Sequence, residues 1–121
     1  MIKNKNSKLY DLEDRTIKFA RETRDFVKTL PKTVGNIEDG KQLIRSSGSV
    51  GANYIEANEA LSKKDFVIRI KISRKEAKES IYWLNLVDVN NNSSLEKHRK
   101  ELAEEGTELM KIFSAIMRKS V

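Results

Sequence analysis

Residues Arg45–Ala60 read RSSGSVGANYIEANEA, and whether this stretch is a glycine-rich loop or a thin helix decides the fold. Its serines and its GSVG suggest a phosphate-cradling loop, but the flanks DGKQLI and EALSKKDF have helical spacing. At 100° per residue, Leu43, Ser47, Val50, Gly51, Tyr54, Asn58 and Leu61 form one stripe. Ile44, Gly48 and Ile55 widen it, and Arg45, Ser49, Asn53 and Glu56 gather on the other side. Helical order therefore persists through the glycines. A Walker-type loop would need a preceding strand and a Gly-Lys-Ser/Thr ending, and neither is present. Each interior glycine costs about 1 kcal/mol relative to alanine, so close approach by neighbouring helices must compensate.

Outward from this segment the chain reads as all-α. Before it, Leu12, Thr16, Phe19, Thr23, Phe26 and Leu30 recur at spacings of 4, 3, 4, 3 and 4, supported by Ala20 and Val27. Pro31 stops that helix, and Asn36 is placed to cap the next. After it, Ser62 with Asp65 opens a long helix whose core face is Phe66, Ile70, Ser73, Ala77, Ile81 and Leu84. The NNNSS run breaks this helix, and Ser93 with Glu96 is a capping box for a fourth. There Leu95, Leu102, Leu109 and Ile116 recur every 7 residues, with Gly106 and Phe113 between. The expected helices span about 11–30, 37–61, 63–89 and 94–119, one domain over residues 1–121, and short connectors imply an antiparallel up-down four-helix bundle.

The composition fits. The chain has 121 residues with one proline, five glycines and no cysteine, which disfavours a β-sandwich and excludes disulfides and thiolate metal sites. No run of about 18 apolar residues exists, and MIKNKNSKLY has no apolar core, so neither a membrane span nor a signal peptide is expected. A reducing cytoplasm is the expected location. Lys and Arg outnumber Asp and Glu by 24 to 18, a net charge of +6. Such a balance favours polyanions, although many basic proteins bind none.

The string GKQLIRSSGSVGANYIEANEALSKKDF, continued by RKEAKESIYWLNL, resembles the four-helix-bundle family related to proteins encoded by intervening sequences in bacterial 23S ribosomal RNA genes. The likeness extends back to YDLEDRTIKFA and LPK and forward, more loosely, to the fourth helix. Its matching positions are Arg45, Ser49, Val50, Asn53, Glu56, Glu76, Glu79, Tyr82, Trp83 and Leu84. The resemblance implies an antiparallel bundle, a ring-like homopentamer and no assigned catalytic set. It also extends to accessory proteins of diversity-generating retroelements, basic pentamers that bind a reverse transcriptase and nucleic acid.

Catalytic chemistry finds little material. The single histidine, His98, stands in the charged start of the fourth helix and is expected to be solvated; without cysteine there is no thiol nucleophile either. No Glu-x-x-His pair suggests a di-iron bundle. The chain is therefore expected to be no enzyme and to use no metal or cofactor.

Three groups of residues remain as candidates. Arg45, Ser49, Asn53 and Glu56, with Glu76, Glu79 and Trp83 of the third helix, form either an interface cluster or ordinary surface ion pairs, worth about 0–1 kcal/mol each. Lys64, Lys71, Lys75 and Lys78 project within about 40° of one direction opposite the core stripe, with Arg74 beside them and Tyr82 on the same line. Cations that neutralise phosphates beside an aromatic that stacks a base suit single-stranded RNA or DNA. Any soluble helix also points lysines outward, and a protein-interaction adaptor is the alternative. Finally, Ile68, Ile72, Trp83 and Leu86 lie off the core stripe, and predict a homo-oligomer.

Overall fold

In a computed structural model, which describes residues 7–120 and side chains from 12 to 120, the chain forms four helices: α1 (Ser7–Thr29), α2 (Val34–Asn58), α3 (Lys63–Leu86) and α4 (Ser93–Lys119). The expectation that no leader occupies the N-terminus falls partly on residues 1–6, outside the described residues. Each helix packs on the next and α1 closes onto α4, while the diagonal pairs stay apart. The result is the expected antiparallel up-down-up-down bundle.

The core is built by the residues whose spacing announced it. Leu12, Thr16, Phe19, Thr23, Phe26 and Leu30 are all buried, as are Ile70, Ser73, Ala77 and Leu84 of α3 and Leu102, Leu109 and Phe113 of α4. Phe66 and Ile81 are half-buried at the edge of that face.

The stretch in question is helical from Arg45 to Asn58, through both glycines, and it is thin because neighbours come close. An added Cβ at Gly51 would lie 2.6 Å from Thr16 Oγ1, and one at Gly40 would lie 3.0 Å from Val27 Cγ1. On its other side α2 packs on α3 through small polar residues. Ser46 Oγ and Ser80 Oγ are 2.9 Å apart, and Ser73 Oγ donates to the Val50 carbonyl at 2.9 Å. Buried hydroxyls bonded in this way let two backbones approach with no donor left unsatisfied. Gly106 plays the matching part for α4, where a Cβ would meet Ile81 at 2.9 Å.

α1 begins at Ser7, not near 11, and the helix ends differ from the sequence reading in four further places, each for a local reason. Thr33, not Asn36, caps α2: its Oγ1 accepts the Asn36 N–H at 3.1 Å, which leaves the Asn36 amide free to bond across the bundle. The same helix stops at Asn58, not 61, because Ser62 must be extended (φ −143, ψ 159) to accept the Asp65 N–H and cap α3. Leu61, placed by periodicity on the core stripe, is instead 99% exposed in the connector. At its far end α3 stops at Leu86, not 89, and the buried Val87 and Val89 plug the end of the core from an extended strand of chain.

The fourth correction is the cap of α4. Asn92 Oδ1 accepts the Leu95 N–H at 3.0 Å, so Asn92, not Ser93, holds the cap position, and Glu96 pairs with Arg99. Asn90 and Asn91 precede it with φ of 54 and 59, a left-handed region that asparagine tolerates better than most residues. His98 is not solvated either: it is half-buried, edge-on to the Phe26 ring with centroids 5.4 Å apart.

Candidate nucleic-acid interface

The outward face of α3 follows from its length and period: with the core stripe sealed against α2 and α4, the opposite side must meet solvent. Lys64, Lys71, Lys75 and Lys78 are all exposed there, and among the described residues none forms an ion pair within 4.0 Å. They rise along one line as point charges about 1.5 Å per residue apart along the axis. Tyr82 stands at the end of that line, 59% exposed, with its ring edge-on to Trp83 at 4.9 Å between centroids. Arg74 leaves the row: half-buried, it turns toward α4 and reaches Ser114 Oγ at 3.4 Å.

The polar cluster forms beside the ridge, in the seam between α2 and α3. Arg45 Nη2 donates to Glu76 Oε1 at 3.3 Å and makes a shorter bond to Glu79, whose Oε2 also accepts the Trp83 indole N–H at 2.9 Å. The Trp83 N–H first, and then Arg45, hold the Glu79 carboxyl below its ordinary pKa. Arg45 is held above its own ordinary value, chiefly by the bond to Glu79. Glu76 is buried, and a buried carboxylate needs such a partner. Through Nη2 the guanidinium ties two helices together.

Other members of the expected cluster lie apart from it. Asn53 accepts from Arg69 at 2.9 Å and donates to the Ser49 carbonyl, while the Ser49 hydroxyl turns back to the Arg45 carbonyl. Glu56 is exposed near the α2–α3 connector and shares no bond with Arg45, Glu76 or Glu79. Sequence reading missed Arg69 as the partner of Asn53. The signal was available, since Arg69, Ile72, Glu76, Glu79 and Trp83 follow one another at spacings of 3 and 4 along the α2-facing edge of α3.

The geometry defines a basic antiparallel four-helix bundle with one lysine-lined helix face. The profile of the 23S rRNA-intervening sequence protein family matches residues 9–115, and the chain belongs to that family. It is similar to a Bacteroides thetaiotaomicron protein of unknown function from the S23 ribosomal protein family, whose crystal structure superposes with a TM-score of 0.73. The two are 30% identical over 88% of this chain and 97% of that one. A comparison with curated proteins finds no significant match.

Proposed function

We propose that this is a non-enzymatic, self-associating protein of the cytoplasm that holds RNA or DNA along the α3 ridge. The observation that carries the reading is the row Lys64, Lys71, Lys75 and Lys78, exposed and, among the described residues, without an ion-pair partner, ending on the exposed ring of Tyr82. Lysines contact a phosphate backbone as point charges without the bidentate fork that reads a base edge, so binding is largely indifferent to sequence. The family's description refers to intervening sequences of 23S rRNA genes and names no ligand. Among the described residues no helix is long and apolar enough to cross a membrane.

Self-association is supported by Ile68 and Leu86, which remain exposed on α3 beside the ridge, with Ile72 half-buried between them. Trp83 contributes less than its sequence position suggests, because it packs on the core and bonds Glu79. A pentamer is favoured by the family resemblance. The second reading is a protein adaptor whose charge only keeps it soluble. A filter-binding titration with mixed-sequence RNA at two salt concentrations separates the two. The nucleic-acid reading requires affinity to fall steeply with salt; no retention at low salt leaves the adaptor.

A further inference from the structure

Three interior glycines have a neighbour that explains them, but Gly48 does not: a Cβ there would meet nothing within 4 Å. Gly35 is equally open, yet it lies in the first turn of α2, where a glycine costs little. Gly48 lies in the middle of that helix, where alanine would be the more stable choice and no contact within the bundle forbids it.

The surroundings of Gly48 supply a reason from outside the bundle. On the outer side of α2, Ile37, Lys41, Ile44, Gly48 and Ile55 follow at spacings of 4, 3, 4 and 7. The facing side of α1 shows Ile17, Ala20, Arg24 and Val27 at spacings of 3, 4 and 3. These are helix-packing periods whose outer positions stay uncovered: Ile17, Ile37 and Ile55 are 41%, 44% and 43% exposed, while Ala20, Val27 and Ile44 are half-buried along the α1–α2 seam. At one end the groove deepens into a pocket of about 200 Å³ between Val27, Pro31, Ile37, Gly40 and Ile44.

The rim is basic. Arg21, Arg24 and Lys28 of α1, and Lys32 beyond it, are exposed, and among the described residues none pairs with a carboxylate; Lys41 alone has one, Glu38 at 3.4 Å. On α1, Asp14 and Asp25 stand within about 40° of Arg21, at helical spacings of 7 and 4, and Glu22 projects to the other side. Glu13, in line with Ile17 and Ala20, accepts from Asn58 Nδ2 at 3.5 Å, so the most basic part of the rim is the end that carries Arg24, Lys28 and Lys32.

We infer that the α1–α2 groove docks an acidic amphipathic helix of a partner protein, its apolar stripe in the isoleucine seam and its carboxylates on Arg21, Arg24, Lys28 and Lys32. Backbones come closest at Gly48, which is the use of a missing side chain at a helix crossing. The acidic face of α4, Glu101, Glu104 and Glu108, carries no exposed large hydrophobic residue, so that face of a second copy does not supply the apolar stripe.

The site lies on the far side of the molecule from the α3 ridge and stands or falls independently of nucleic-acid binding. The probe is a fluorescein-labelled designed helix with a leucine seam flanked by glutamates, compared by anisotropy with a counterpart flanked by lysines. The glutamate peptide binds at least about tenfold tighter, and Arg21→Glu with Arg24→Glu, or Gly48→Leu alone, each weakens it by about tenfold or more. Gly48→Leu melts at or above the wild-type temperature, so its loss of binding is not unfolding, and Lys71→Glu, Lys75→Glu and Lys78→Glu together change nothing. Equal affinity for the two peptides overturns the inference, as does loss only on reversal of the α3 lysines. So does capture by phosphatidylglycerol vesicles through Arg21 and Arg24 without peptide binding, which assigns the groove to a membrane.

Discussion

Asn36 and Asp88, 52 residues apart in sequence, exchange two hydrogen bonds: Asn36 Nδ2 donates to the Asp88 carbonyl at 2.9 Å and Asn36 Oδ1 accepts the Asp88 N–H at 2.9 Å. The same Nδ2 also reaches the Pro31 carbonyl at 3.0 Å. One buried amide thus joins the α1–α2 connector to the α3–α4 connector at one end of the bundle, in the manner of a backbone pair between strands.

Replacing that amide should loosen both connectors together. Asn36→Ala leaves the Asp88 N–H and two carbonyls without their partner and should cost about 1–3 kcal/mol in urea unfolding. Asn36→Asp sets a carboxylate against two carbonyl oxygens and should cost more. If both variants unfold at the wild-type midpoint, the staple contributes nothing.

Two glycines of α2 should respond to alanine with opposite sign. Gly51→Ala drives a Cβ into the buried, branched Thr16 and should destabilise by about 1–3 kcal/mol, Gly51→Leu by at least as much. Gly48→Ala meets open space and should stabilise by up to about 1 kcal/mol through helix propensity alone. Parallel thermal melts decide the matter, and a gain in stability at Gly51 would contradict the close α1–α2 approach.

Acid should reveal the Arg45–Glu79–Trp83 cluster. The folded state holds the Glu79 pKa below its ordinary 4.5. Its contribution to stability is therefore complete above pH 4.5 and is lost as pH falls from there through the folded value. The melting-temperature gap between wild type and Glu79→Gln should be widest near neutrality and should narrow below that pH. A gap that does not change with pH would show that the carboxylate charge is irrelevant to the cluster.

Removing an unsatisfied hydroxyl should help. The Tyr54 hydroxyl is buried without a hydrogen bond of ordinary geometry, and burial pushes its pKa up, offset only in part by nearby Asn58. Tyr54→Phe keeps the ring against Phe113 and should leave stability equal or higher, by up to about 1 kcal/mol. A clear loss in a urea melt would mean that the hydroxyl is bonded after all.

Most of the bundle was legible because period alone decides which face is buried. Leu12 through Leu30 could be read from spacing with no knowledge of their partners, and so could Ile70 through Leu84. The errors collect at helix ends, where several polar residues compete for one cap and the outcome depends on who else needs them. Asn36 looks like a cap until Asp88 claims its amide, and Ser93 loses to Asn92 because the preceding asparagines adopt left-handed backbone. Leu61 carries the right period but sits one residue before a serine that must be extended. The candidate site was legible in part: the lysine row follows directly from spacing, whereas the partition of Asn53 to Arg69 and of Arg45 to the two glutamates depends on how α2 and α3 lie side by side.

The ridge itself is tested most directly by reversing its charge. Lys71→Glu, Lys75→Glu and Lys78→Glu combined alter only exposed positions, so helicity by circular dichroism should be unchanged. Binding of mixed-sequence RNA and DNA should be abolished, and single replacements should each lower the slope of log affinity against log salt by about 0.7–0.9. If the triple variant binds as tightly as wild type with the same salt slope, the lysines are only a solvated face and the ridge holds no nucleic acid.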